Sequence, residues 1–190
     1  MDTILQTVAS VPRNGWFLLA AAAVIVTPWL LRAPLRRYLD ARRIQRAIRS
    51  LGARVASDIT IPDGIDGSAC IDYLVMTPRY LLVVLVKRYP GAIFGSERIE
   101  QWAQVMREGS YKFPNPLTEL QDVVSAVRAQ LPDVPVKGAV LFDHDSVFPK
   151  GKPDGVLHVP DIDPRTGGRT QLSDIPEELQ QAWSRLCPGQ

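Results

Sequence analysis

IDYLVMTPRYLLVVLVKRYPG, residues 71–91, holds two apolar runs joined by Thr77-Pro78-Arg79-Tyr80. Each run has the length and the β-branched or aromatic content of a strand, and the Pro-containing link is a turn. Between Asp72 and Lys87 every residue outside that turn is apolar or aromatic, so the spacing predicts a buried hairpin bracketed by one acid and one base. A turn at Pro78–Arg79 sets Asp72 against Leu85 and Cys70 against Lys87. Directly opposed residues share a face, with Cβ atoms about 5 Å apart. Lys87 lies two residues beyond Leu85 and shares that face. This register gathers Asp72, Leu85 and Lys87, and a three-residue loop would shift it.

Outward from the hairpin the chain reads as mixed α/β. ARVASDITIP is a preceding strand, and PDGIDGSA is a turn-rich link. After the hairpin, GSERIEQWAQVMREG is read as a helix capped by Ser96, with Ile99, Trp102, Val105 and Met106 as its apolar face. LTELQDVVSAVRAQL is a second helix with Leu117, Leu120, Val123, Val124 and Val127 inward, and PVKGAVLF is a fourth strand. SDIPEELQQAWSRL is a terminal helix, with Asp174 and Glu177 as a capping box and Pro176 in the first turn.

The net charge of +2 over 190 residues hides an asymmetry. Residues 1–54 carry nine Arg and two Asp, and residues 55–190 carry thirteen Lys and Arg against eighteen Asp and Glu. The globular part is mildly acidic and does not advertise nucleic-acid binding through its overall field. Cys70 and Cys187 lie far apart, which excludes a disulfide framework and a Cys-rich zinc site and fits free thiols.

Gly15–Leu31, GWFLLAAAAVIVTPWLL, is uncharged. At about 1.5 Å per residue it spans roughly 25 Å as a helix. Trp16 and Trp29 sit near its ends, where interfacial aromatics belong. Arg32, with no small-residue cleavage site, follows at once, which favours an anchor over a removed leader. Eight arginines from Arg32 to Arg54, against Asp40 alone, place the following domain on the cytoplasmic side of an inner membrane. YLDARRIQRAIRSLG then has helical spacing, with Leu39, Ile44, Ala47, Ile48 and Leu51 on one face and Gly52 as its stop. Arg42, Arg43, Arg46 and Arg49 line the other face. They suit anionic lipid, or the phosphate backbone of DNA.

Two opposed carboxylates with a nearby lysine are a layout for phosphodiester cleavage. Carboxylates hold Mg²⁺ through hard oxygen ligands, the metal polarises the phosphate and acidifies bound water, and the lysine steadies developing charge. In the predicted register the place of the second carboxylate is held by Leu85.

IPDG, IDYLVMTP, the strand ending at Lys87, YPGAIFGSE, QWAQ and YKFPNPL occur in this order between Arg43 and Val159. In this the chain resembles the nuclease-related domain family, usually assigned to the PD-(D/E)xK restriction-endonuclease-like fold. The resemblance implies a mixed sheet flanked by helices, here preceded by one transmembrane helix. It implies catalytic roles for Asp72 and Lys87, with Mg²⁺ on Asp72 wherever activity is retained. Gln104 matches a polar position of the family. Leu85 stands where the family carries Glu, Asp40–Ala41 where it tends to Gly–Glu, and Glu119–Leu120 where it tends to Gln–Asn. The expected organisation is a tail (1–14), an anchor (15–31), an Arg-rich juxtamembrane helix (32–52), the nuclease-related domain (53–162), and a linker with a C-terminal helix (163–190).

Three readings follow: a catalytically impaired domain that binds nucleic acid or acts as a scaffold; an active nuclease whose second acid has migrated to Glu100 or Glu97; and a membrane-proximal structural subunit. A further reading, compatible with the first, has Asp72 and Lys87 simply forming a buried ion pair. Asp143, His144 and Asp145 read as a solvated loop rather than a metal site, because neighbouring residues on a strand alternate faces.

Overall fold

The structure, a computed structural model, describes residues 32, 35–36, 38–62, 67–163 and 172–188. The expected anchor at residues 15–31 lies outside them. Among the described residues no helix is long and apolar enough to cross a membrane. The chain divides into two compact units, Met1–Arg42 and Arg43–Gln190. Residues 38–49 are helical (α1).

The second unit is an α/β fold with two sheets flanked by helices. Five strands form the first sheet in the order β1-β2-β3-β7-β9: β1 Arg54–Pro62, β2 Ser68–Met76, β3 Leu81–Lys87, β7 Val136–Phe142 and β9 Val156–His158. β1 and β2 pair antiparallel, as do β2 and β3, while β3 pairs parallel with β7 and β7 with β9. The crossover from β3 to β7 contains α2, Pro116–Gln130. The chain closes with α3, Glu177–Leu186.

β3 carries no polar residue before its last because both of its faces are covered. Leu81, Val83 and Leu85 enter one core with α2, α3, Trp102 and Phe113. Leu82 and Val84 enter a second core with Ile44 and Ile48 of α1. Gly138 lets α2 lie against β7, since a Cβ there would meet Val124 and Leu120 at 2.7 and 2.9 Å.

The helix expected at 95–109 does not form. Those residues supply β5 and the start of β6 in a second sheet, ordered β6-β5-β4-β8: β4 Gly91–Phe94, β5 Gln101–Met106, β6 Gly109–Pro114 and β8 Ser146–Val147. Trp102 and Gln104 are buried while Gln101 and Val105 are exposed, a two-residue period. Cross-strand pairing from Gln101↔Pro114 to Met106↔Gly109 satisfies the backbone in place of helical bonds. Ser96 caps no helix, and its carbonyl accepts the Trp102 Nε1 proton at 3.1 Å. Gly95 makes this possible, because a Cβ there would lie 2.1 Å from the indole.

The terminal helix also starts later than its sequence suggests. Leu172–Asp174 is a 3-10 turn and Pro176 occupies the N-cap without a side-chain bond, so the Asp174–Glu177 box is not formed.

Candidate functional site

The β2–β3 register is the one the hairpin predicts. Tyr73 faces Val84, Leu74 faces Val83, Val75 faces Leu82 and Met76 faces Leu81. The ladder ends there; beyond it Leu85 is buried in the core, while Lys87 borders the same cleft as Asp72. Asp72 Oδ2 accepts the Val86 N–H at 2.7 Å.

The cause lies one strand away. Ala56 and Ile59, three residues apart, enter the same core, and so do Leu74 and Ile71. Strict alternation would put each pair on opposite faces. The break falls at Asp58, the one non-glycine with positive φ (56°) among the described residues. Asp58 stands between the pairs Ser57↔Tyr73 and Ile59↔Ile71, so it is opposite Asp72. Both strands turn over together at this point. Asp and Asn tolerate that left-handed conformation better than branched residues do.

The result is a cleft of about 460 Å³ lined by Ile44, Asp58, Asp72, Tyr73, Val86, Lys87, Arg88 and Tyr89. Tyr73 and Val86 pack against the α1-side core. Leu85, 2% exposed, belongs to the other core. Burial, then the Asp58 carboxylate, raise the Tyr73 phenol above its ordinary value of 10.0; Arg88 opposes this and Asp72 adds to it. Both carboxylates therefore act on one phenol.

Lys87 borders the cleft, and its ammonium is paired with a carboxylate that is not among the residues lining it. Nζ donates to Glu119 Oε2 in the first turn of α2 at 2.5 Å. Among the described residues no ion pair joins Asp72 to Lys87, so the expected buried pair is replaced by Lys87–Glu119. Glu119 was legible only as a departure from the family's Gln–Asn pair. Asp58 falls inside a stretch with strand character, and its left-handed backbone has no sequence signal beyond Asp itself.

Glu100 and Glu97 lie on the β4–β5 connection, not on a helix. Glu100 borders a separate groove of about 740 Å³ with Cys70, Glu119 and Asp122, and it is not among the residues lining the Asp72 cleft. Gln104 faces neither cleft. It is 8% exposed, and its Nε2 donates to the Pro90 carbonyl at 2.7 Å, holding the chain where β3 passes into β4.

Asn115, in the NPL stretch, organises the same region. Its Oδ1 accepts the Leu117 N–H at 2.9 Å as the cap of α2. Its Nδ2 lies 3.4, 3.3 and 2.9 Å from the carbonyls of Ser96, Glu97 and Ile99.

At the end of β7 the Asp143–Asp145 loop closes on itself. Asp143 Oδ1 lies 2.7 Å from His144 Nδ1, and Asp145 Oδ1 lies 3.2 Å from Nε2. Arg43 Nη1 is 3.3 Å from that same Nε2. Among the described residues no three His, Cys, Asp or Glu side chains are grouped to hold a metal ion. The other arginines of the basic face, Arg46 and Arg49, are exposed, while Ile44, Ala47 and Ile48 are buried. In the first unit, the Arg42 guanidinium lies 4.4 Å from the Tyr38 ring centroid.

The fold and this cleft define a class: an α/β domain whose hairpin brings an acid and a lysine to the end of a mixed sheet. The profile of the nuclease-related domain matches residues 36–143, more than half the chain. The chain belongs to the nuclease-related domain family. No match was found among curated proteins or solved structures.

Proposed function

We propose that this is a membrane-anchored, cytoplasmic member of the nuclease-related domain family that binds nucleic acid without cutting it. Its fold is read as restriction-endonuclease-like, with Gly15–Leu31 as the single-pass anchor. The observation that carries the reading is the fate of the two positions on β3. Leu85 is buried in the core where the family carries an acid, and Lys87, though it borders the cleft with Asp72, is ion-paired with Glu119. An apolar side chain offers no oxygen to a hard cation. Arg42, Arg43, Arg46 and Arg49, each exposed, supply the phosphate contacts.

A second reading keeps catalysis and has one observation in its favour. Asp58 stands opposite Asp72 and lines the same cleft, so the acid that replaces the family's glutamate is Asp58 rather than Glu100. These two carboxylates would hold Mg²⁺, although hard cations take about six oxygen ligands and the rest would come from water and substrate phosphate. Bound there, the ion would supply phosphate polarisation. Asp72 would stay oriented by the Val86 amide, and Lys87 would have to leave Glu119 to meet the phosphate.

The test uses the full chain in detergent micelles with plasmid and single-stranded DNA, with and without Mg²⁺ or Mn²⁺. Binding that weakens steeply with salt, and more gently once Arg42, Arg43, Arg46 and Arg49 are changed to Ala, is the expected result. Cleavage lost in both Asp58→Ala and Asp72→Ala would replace the first reading with the second. Absence of any binding would remove both.

A further inference from the structure

Among the described residues, the second sheet has one face that neither core covers. Ala92 pairs with Val105 and with Val147, and Phe94 pairs with Ala103, which pairs with Lys112. Opposed residues share a face, and so do residues two apart on a strand. Ile93, Trp102 and Phe113 point the other way, into the core. Val105 and Val147 are 39% and 56% exposed.

This face ends at a cleft of about 470 Å³, formed where the β4–β5 connection meets residues 150–153. Among the described residues, Arg98, Lys150 and Lys152 line it, against the single acid Glu97. Lys150 belongs to both features, since its Nζ also lies 6.0 Å from the Phe94 ring centroid. Lys152 is bonded to Asp161, which lies outside the cleft lining and whose carboxyl that bond holds below its ordinary value. Arg98 and Lys150 are then the cations that face outward.

One wall of the cleft is fixed in advance. The carbonyls of Ser96, Glu97 and Ile99 are tied to the Asn115 amide, and that of Ser96 also to the Trp102 indole. Gly151, at φ +85°, has open space where a Cβ would be, so the opposite wall leaves room for a group to approach the backbone. A preorganised cationic cleft beside an aromatic ring on an open sheet is the combination that holds single-stranded nucleic acid. Phosphates meet the cations, and a base stacks on the ring. A duplex keeps its bases stacked on each other and has none to give to Phe94.

We infer that the open face of the β6-β5-β4-β8 sheet, with the Arg98–Lys150 cleft, is a single-strand nucleic-acid site in which Phe94 stacks a base. The inference rests on the nucleic-acid reading above and assigns strand contacts to Arg98, Lys150 and Phe94, none of which is on α1.

The experiment measures fluorescence anisotropy of the full chain in micelles with labelled oligo(dT) of about 20 nucleotides, longer than the ~4–16 that one such surface covers. An abasic strand and a duplex of equal length are measured beside it. Arg98→Ala with Lys150→Ala is expected to weaken oligo(dT) binding about 10-fold and to lower the salt slope by about 1.4, two phosphates' worth for a single strand. Phe94→Leu, which keeps an apolar side chain on the sheet, is expected to weaken oligo(dT) about 5-fold or more while leaving the abasic strand unchanged. Circular dichroism and tryptophan fluorescence check that each variant is folded. Parental affinity in these variants, with binding lost instead in Arg43, Arg46 and Arg49→Ala, would overturn this site and leave the proposed function standing. A parent chain that binds no oligonucleotide would overturn both.

Discussion

Lys87 and Glu119, 32 residues apart in sequence, share a hydrogen-bonded ion pair of 2.5 Å that ties the end of β3 to the first turn of α2. Glu119 is 54% exposed, so solvent screens much of the attraction. A double-mutant cycle with Lys87→Met and Glu119→Gln should give a coupling of about 0.5 kcal/mol that shrinks further in high salt. A coupling of about 3 kcal/mol would mean that the pair is sealed from water.

Asp58 and Tyr73 offer a direct probe of the cleft. A raised phenol favours the neutral form in the fold. Its contribution to stability is complete below the unfolded value and is lost as pH rises through the folded one. Absorbance at alkaline pH should show one tyrosine ionising above 10.0. Asp58→Asn should bring it down, because it removes the carboxylate that raises it. An unmoved titration would place the Asp58 charge away from Tyr73. At the same position Asp58→Ala should cost about 1 kcal/mol more than Asp58→Asn, since alanine resists the left-handed backbone.

Leu85→Glu puts a carboxyl into the core that holds Trp102 and Phe142, not into the cleft with Asp72. Burying that group without a partner should lower stability by about 2 kcal/mol or more. Urea unfolding would report it as a lower midpoint. A midpoint equal to the parent's would show that position 85 opens to solvent.

Asn115→Ala removes the cap of α2 and leaves the carbonyls on the β4–β5 connection without their shared donor. The cap contributes about 1 kcal/mol, and an abandoned carbonyl costs about 1 kcal/mol or more. A fall of about 2 kcal/mol in unfolding free energy is expected. Amides of residues 96–100 should also exchange hydrogen faster, whereas a lost cap alone would speed exchange only at the start of α2.

Where local pattern and tertiary demand agreed, the chain was readable. The β2–β3 register followed from the Thr77–Tyr80 turn, since a hairpin's loop length fixes which residues oppose. α2 followed from its apolar spacing; the structure starts it one residue earlier than LTELQ, at Pro116, with Asn115 as its cap. GSERIEQWAQVMREG misled because Ile99, Trp102, Val105 and Met106 also fit a helical face. A two-residue period and cross-strand partners in YKFP decided for strands, and partners are a property of the assembled sheet.

The amino-acid sequence by itself determined that an acid and a base bracket a buried hairpin, and that the acid expected between them is a leucine. It also determined membership of the nuclease-related domain family, because the ordered motifs survive without any knowledge of their contacts. The tertiary structure alone decided which groups meet. One left-handed residue at Asp58 turns two paired strands over together, which sends Asp72 to the Val86 amide. Packing of α2 then offers Lys87 a carboxylate from Glu119. Side-chain direction depends on the summed twist of the backbone and on neighbours distant in sequence, and neither is written in the local order of residues.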